Sequence, residues 1–240
     1  MSELVFVRHG QASFGQKSYD KLSELGIEQA RILAQHWQAI GEEFDHIYAG
    51  SLLRQQETAR ELLPLVKNNV SAPETHEGLN EYSGDAIVKI HLRDQGEELQ
   101  SDFEFGGTFA NNEDEKRSFQ SVFEEATDRW LNDELEPSET EPHFESWNEF
   151  KSRVFAAFDD IMARHSGGSR VLVATSGGVI ALALQRVLQF PDEQVIRTNW
   201  MVHNSSVTRI RYGSGKISLT QFNSLPHLEK EGMQEFVTYR

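Results

Sequence analysis

The 240-residue chain contains no cysteine and few basic residues, with 23 Lys/Arg against 38 Asp/Glu. The missing cysteine excludes disulfides and thiolate chemistry and makes the cytoplasm the expected location. A formal net charge of −15 argues against nucleic-acid or anionic-membrane partners, whose phosphates would be repelled. No stretch approaches the roughly 20 apolar residues of a membrane span. The chain enters a strand-like run by its fourth residue, which leaves no room for a signal peptide. What is present is 38% hydrophobic residues, enough to build a globular core of one large domain or a domain with an insertion. An anionic substrate would need a local island of positive charge in this acidic chain.

The acidity is concentrated. Residues 82–145 hold 18 Asp/Glu against 5 Lys/Arg, a net of −13, nearly the whole excess. The segment carries the loop signals Gly106-Gly107 and Asn111-Asn112, and Phe119, Val122, Phe123, Ala126 and Trp130 at helical spacing. Glu113, Asp114 and Glu115 fall in or before the first turn of that helix, where negative charge is favourable. We read 1–240 as a single domain with an acidic, partly helical insertion at about 82–145 that caps one end of a sheet. Its charge serves either as a solvated face or as a gate for a basic partner or a substrate.

The flanking parts alternate strand and helix. Leu4-Val5-Phe6-Val7 reads as a buried strand; residues 22–40 read as a helix with Ala30, Leu33, Trp37 and Ile40 on one face and Ser23 as N-cap. A short strand at 46–49, a helix over about 51–66 and a weaker strand within 70–80 follow. Residues 151–165 repeat at helical spacing, Val171-Leu172-Val173-Ala174 is a buried strand, and 179–188 is a helix apolar enough to be interior. Residues 207–212 and 216–222, joined by Gly213-Ser214-Gly215, predict a terminal hairpin. This alternation implies an α/β fold, a three-layer α/β/α sandwich around a mainly parallel sheet.

Three strand ends carry chemistry. The first runs straight into Arg8-His9-Gly10, with a forked donor suited to phosphate, an imidazole able to be neutral at pH 7, and a glycine for a sharp turn. The second leads into a helix whose first turn presents Arg54; the third delivers Gly177-Gly178 at a helix start, where backbone N–H groups favour an anion. Each has a plain alternative: an exposed Arg-His pair, an ordinary helix charge, a mere helix-start turn. If the three strands are parallel neighbours, these groups converge at the carboxyl edge of the sheet into a site for a dianionic phosphoryl group.

The chain resembles the histidine phosphatase superfamily, also called phosphoglycerate mutase-like, over residues 4–82 and about 150–222. The resemblance rests on Arg8-His9-Gly10; on Leu-x-x-x-Gly-x-x-Gln-Ala at 22–30; on Arg54 four residues before Thr58-Ala59; on Asn80-Glu81; and on Asn204-Ser205-Ser206-Val207. It implies that His9 attacks phosphorus as a neutral imidazole whose other nitrogen is held by a carbonyl, giving a phosphohistidine that water hydrolyses. Arg8 and Arg54 would hold the phosphoryl oxygens, and Glu81 would protonate the leaving alkoxide and then activate water. No cofactor or metal is implied, and His36, His46, His165 and His227 are scattered and read as structural or exposed.

Two departures stand out. Where the family has a second histidine before the late glycine pair, this chain has Ser176 in Thr175-Ser176-Gly177-Gly178; where it often has serine, this chain has Gly50. Ser176 keeps a hydrogen-bond donor but no charge, and a water, His203 or His91 is a candidate to fill the gap. Phosphate contacts are thus assigned to Arg8, Arg54, Ser176 and Gly177. A glycolytic mutase needs basic residues in its insertion, which is acidic here. The leading expectation is therefore a phosphomonoesterase acting on a small phosphate ester. The alternative is a weak or inactive relative that binds a phosphorylated ligand or protein partner. A dinucleotide-dependent dehydrogenase is excluded because no Gly-x-Gly-x-x-Gly follows the first strand. Specificity is expected in the insertion and in the loop 12–19; oligomeric state is left open.

Overall fold

The computed structural model describes residues 1–13, 20–96, 113–139, 141 and 144–239. The loop signals at 106–107 and 111–112, residues 14–19 and the Phe119 side chain lie outside the described residues.

The elements run β1 (Ser2–Arg8), α1 (Glu24–Ala39), β2 (His46–Ala49), α2 (Leu53–Leu62), β3 (Glu74–Thr75), α3 (Gly84–Asp94), α4 (Glu113–Leu131), α5 (Trp147–Arg164), β4 (Arg170–Thr175), α6 (Gly177–Leu188), α7 (Asp192–Met201), β5 (Val207–Gly213) and β6 (Lys216–Ser224). Short 3₁₀ turns follow α2 at Leu63–Leu65 and β3 at Glu77–Leu79. Among the described residues the strands form one six-stranded sheet in the order β3-β2-β4-β1-β5-β6. β1, β2, β3 and β4 pair in parallel, and β5 joins β1 and β6 antiparallel. The fold is thus α/β with a mostly parallel sheet flanked by helices, as the alternation predicts.

The strand period of two separates the faces. Val5 and Val7 of β1, Ile47 and Ala49 of β2, and Leu172 and Ala174 of β4 pack with Leu33 and Trp37 of α1 and Ala59 and Leu62 of α2. Leu4 and Phe6 face the other way with Ile210 of β5, and the Phe6 ring meets Phe158 of α5 edge-on at 5.5 Å. Buried on both faces, the central strands need apolar residues at every position, which is why they read as unbroken runs.

At the amino ends of the strands, Glu3 and Glu42 form a network with Arg170 and Arg209. Burial alone would raise the Glu42 carboxyl, but hydrogen bonds from Arg170 and Arg209 hold it below its ordinary range. The opposite ends of the strands are left for the site.

The chain divides into two compact units. The first comprises Met1–Ser13, Asp20–Glu81 and Arg153–Arg240 and contains the whole sheet; the second comprises Phe14–Tyr19 and Tyr82–Ser152. Within the second, Tyr82, Trp130, Trp147 and Phe150 form an aromatic cluster with centroids 4.7–6.0 Å apart. Arg129 pairs with Asp94 at 2.7 Å, and Arg93 bonds Asp94 and Glu141. Two helices escaped the sequence reading. α3 lies in the acidic segment, and α7 buries only Val195 and Ile196, too short an apolar stripe to read as periodic.

Candidate active site

β4 lies between β1 and β2, all three parallel, so their carboxyl ends share one edge of the sheet. The backbone of His9 is held on both sides: its N–H donates to Thr175 O at 2.8 Å, and its carbonyl accepts Asn204 Nδ2 at 3.1 Å. The ring is 6% exposed. His9 Nδ1 lies 2.7 Å from the Gly10 carbonyl, which only accepts, so Nδ1 carries the hydrogen. Nε2 accepts the Arg54 Nε hydrogen at 3.2 Å. The two partners select one tautomer and leave the Nε2 lone pair on the side of Arg54. Burial first, then the charges of Arg54 and Arg8, push the imidazole well below its ordinary range, with the Gly10 carbonyl opposing. His9 is therefore neutral at pH 7.

Gly10 does not adopt the left-handed backbone that a sharp glycine turn implies. Its requirement is proximity: a Cβ there would lie 2.1 Å from the carbonyl oxygen of Gly26 in α1. The strand end and the first turn of α1 touch backbone to backbone, which explains the two glycines together. Ser23 caps α1 by accepting from Gly26 N at 3.0 Å, as expected. Gly10 N–H donates to Thr58 Oγ1 at 3.1 Å, whose hydroxyl donates to Arg54 O at 2.8 Å. The first and third sequence motifs are thus one hydrogen-bonded assembly.

The two arginines are engaged differently. Arg8 Nη1 donates to the Val202 carbonyl. Arg54 Nη1 pairs with Asp20 Oδ1 at 2.7 Å, while Asp20 Oδ2 accepts Leu53 N–H at 2.8 Å and caps α2. Sequence reasoning missed Asp20, which sits outside the helix it caps. Thirty-four residues separate it from Arg54.

The start of α6 differs from expectation. Gly178 N–H, at the helix start expected to favour an anion, donates to Glu81 Oε2 at 2.9 Å, so the protein's own carboxyl group occupies part of that helix end. Gly177 is required for space, since a Cβ there would lie 2.1 Å from Asn199 Oδ1. Ser176 is 1% exposed, and its Oγ accepts from Gln55 Nε2 at 2.8 Å. His203 stacks on Tyr239 at 4.1 Å, and His91 lies in the second unit, 3.5 Å from Arg129. Asn80 braces the turn after β2, accepting from Ser51 N at 2.7 Å.

The structure therefore gathers His9, Arg54 and Thr58 into one cluster, joins Arg8 to it through the chain, and links Glu81 to Ser176 across the first turn of α6. Gln55 is the member that sequence reasoning passed over, because nothing local marks a helical glutamine as buried. Among the described residues no group of three or more His, Asp or Glu is set to hold a metal ion. None of the helices among the described residues is long and apolar enough to cross a membrane. His227 is fully buried, with Nε2 2.9 Å from Ser205 Oγ, and His46 stacks on His165 at 3.9 Å.

A mostly parallel sheet whose carboxyl edge carries a neutral histidine flanked by two arginines defines an α/β protein with a positively charged strand-end site. Residues 4–122 and 108–225 match the model of the histidine phosphatase superfamily (branch 1), and the chain belongs to that superfamily. It is 30% identical over 204 residues to a 2,3-bisphosphoglycerate-dependent phosphoglycerate mutase of Parvibaculum lavamentivorans, covering 82% of this chain and 84% of that protein. In fold it is similar to a putative alpha-ribazole-5'-P phosphatase from Escherichia coli, with a TM-score of 0.64, 20% identity and coverage of 93% and 97%. It is similar also to a mutant phosphoserine phosphatase from Entamoeba histolytica in complex with phosphoserine, with a TM-score of 0.60, 20% identity and coverage of 95% and 100%. Its relatives are thus phosphatases and mutases acting on small phosphate esters.

Proposed function

We propose that the protein is a phosphatase that hydrolyses a small phosphomonoester through a phosphohistidine at His9. The observation that carries this reading is the state of His9: neutral, with Nδ1–H tied to Gly10 O and Nε2 beside the Arg54 guanidinium. An incoming phosphoryl group takes over the Arg54 hydrogen that Nε2 holds at rest. Nε2 then attacks phosphorus as the bond to the ester oxygen breaks, and Glu81 gives its proton to the departing alkoxide. Water next attacks the phosphohistidine, Glu81 takes the water proton, and inorganic phosphate leaves with the neutral imidazole restored. Arg8 and Arg54 neutralise the oxygens throughout, with Ser176 and the backbone of Gly177 as further contacts.

The acidic segment favours hydrolysis over mutase chemistry. With 5 Lys/Arg against 18 Asp/Glu it has few of the basic residues that a glycolytic mutase needs in its insertion to grip a phosphoglycerate carboxylate. Wild-type protein should release phosphate from 4-nitrophenyl phosphate and His9→Ala should not; equal turnover in the two would sink the proposal. With 3-phosphoglycerate and a 2,3-bisphosphoglycerate primer, phosphorus NMR should show no 2-phosphoglycerate, and its formation would make the protein a mutase. If no acid-labile phosphoenzyme forms on any ester while inorganic phosphate still binds, the protein is a binder.

A further inference from the structure

Gln55 is fully buried in the first turns of α2, an uncommon place for a glutamine. A buried amide is costly unless its polar atoms are bonded. Its Nε2 donates to Leu79 O at 3.0 Å and to Ser176 Oγ at 2.8 Å. Its Oε1 has no partner among the described residues. Leu79 settles which end of the amide is the nitrogen, because a carbonyl only accepts and would repel an amide oxygen. The same carbonyl also receives Thr175 Oγ1 at 2.7 Å. The other Nε2 hydrogen is thus directed at Ser176, and Ser176 Oγ is the acceptor of that bond.

A hydroxyl carries one hydrogen. That of Ser176 is not used on Gln55, and Oγ makes no other hydrogen bond among the described residues; it does not even accept a cap bond from α6, whose N-cap position Ser176 holds. Ser176 directly follows Thr175, whose carbonyl holds the His9 N–H at 2.8 Å. Gly50 makes the arrangement fit. A Cβ there would lie 1.9 Å from Gln55 Oε1 and 2.6 Å from Asn80 Oδ1. Gly50, Gln55 and Ser176, scattered in sequence, form one unit.

We propose that Gln55 is a positioning residue that turns the Ser176 hydroxyl into a hydrogen-bond donor for a phosphoryl oxygen beside His9, with Gly50 supplying the room for its amide. The proposal rests on the phosphate-site reading above. A donor fixed in advance by the protein needs no reorganisation as charge develops on the phosphoryl oxygens. Being neutral, it contributes equally across the pH range.

The test is a double-mutant cycle on 4-nitrophenyl phosphate turnover and, separately, on calorimetric affinity for inorganic phosphate. Ser176→Ala is expected to lower kcat by about 100-fold. Gln55→Met should lower kcat by about tenfold with little change in KM, yet cost less than about twofold in the Ser176→Ala background. Gly50→Ala displaces only the tips of two flexible side chains, so it should fold normally and reproduce the loss caused by Gln55→Met. Equal costs of Gln55→Met in both backgrounds, or full activity in Gly50→Ala, would overturn the proposal. Should wild-type protein hydrolyse no ester, the hydrolase reading fails on its own. The phosphate-affinity cycle then decides this one: coupling supports it and additivity overturns it.

Discussion

Acid should unfold this protein in part through His227. The ring is fully buried, Nε2 sits 2.9 Å from Ser205 Oγ, and Nδ1 has no partner among the described residues. Burial, followed by the charges of His36 and Lys230, pushes its pKa down to about 3. An unfolded histidine titrates near its ordinary value of roughly 6.5. Below that pH the unfolded chain takes up a proton that the native ring refuses, so stability falls with falling pH until the folded pKa is reached. The slope approaches about 1.4 kcal/mol per pH unit, or about 2.5 kcal/mol between pH 7 and 4.5. That is a large share of a typical net stability of about 5–15 kcal/mol. His9 and His36, also held below their ordinary range, act with the same sign, so the difference between wild type and His227→Gln isolates one ring. Glutamine keeps a group able to bond Ser205 and cannot titrate. Denaturant unfolding at pH 7, 5.5 and 4.5 should show the gap in stability moving by about 2.5 kcal/mol in the variant's favour. A gap constant within about 0.5 kcal/mol would refute the reasoning.

Two further outcomes are expected. Gly10→Ala forces a Cβ to 2.1 Å from the Gly26 carbonyl, backbone against backbone, and should cost about 2–3 kcal/mol. A thermal melt should fall by about 5–10 °C, and an unchanged Tm would remove the close-approach argument. Arg54→Lys removes the fork that reaches His9 at 3.2 Å and Asp20 at 2.7 Å, which one ammonium cannot span. It should lower kcat/KM on 4-nitrophenyl phosphate by about 100-fold or more; wild-type values would mean that charge alone suffices.

The sequence was most legible where structure is local. Apolar runs at 4–7 and 171–174, the Ser23 cap and the glycine-marked hairpin each carry their cause within a few residues, and each forms as expected. It was less legible at Gly10, where the residue type was informative but the reason was not. A positive φ is a local property, whereas contact with Gly26 belongs to the packing of β1 against α1. The start of α6 shows the same limit. A glycine pair at a helix N-terminus announces free N–H groups, but not that Glu81, 97 positions earlier, takes one of them.

The sequence by itself determined the alternation of strands and helices, the histidine between candidate phosphate ligands, the acidic middle segment and the family. All of these are written in periodicities, charge counts and short motifs. Only the tertiary structure decided the tautomer of His9, the claim of Glu81 on Gly178, the pairing of Asp20 with Arg54, and the grip of Gln55 on Ser176. The physical reason is that hydrogen-bond direction and desolvation depend on which groups the sheet order brings together. Gln55 and Ser176 stand 121 residues apart, and no local pattern records that β2 and β4 are neighbours.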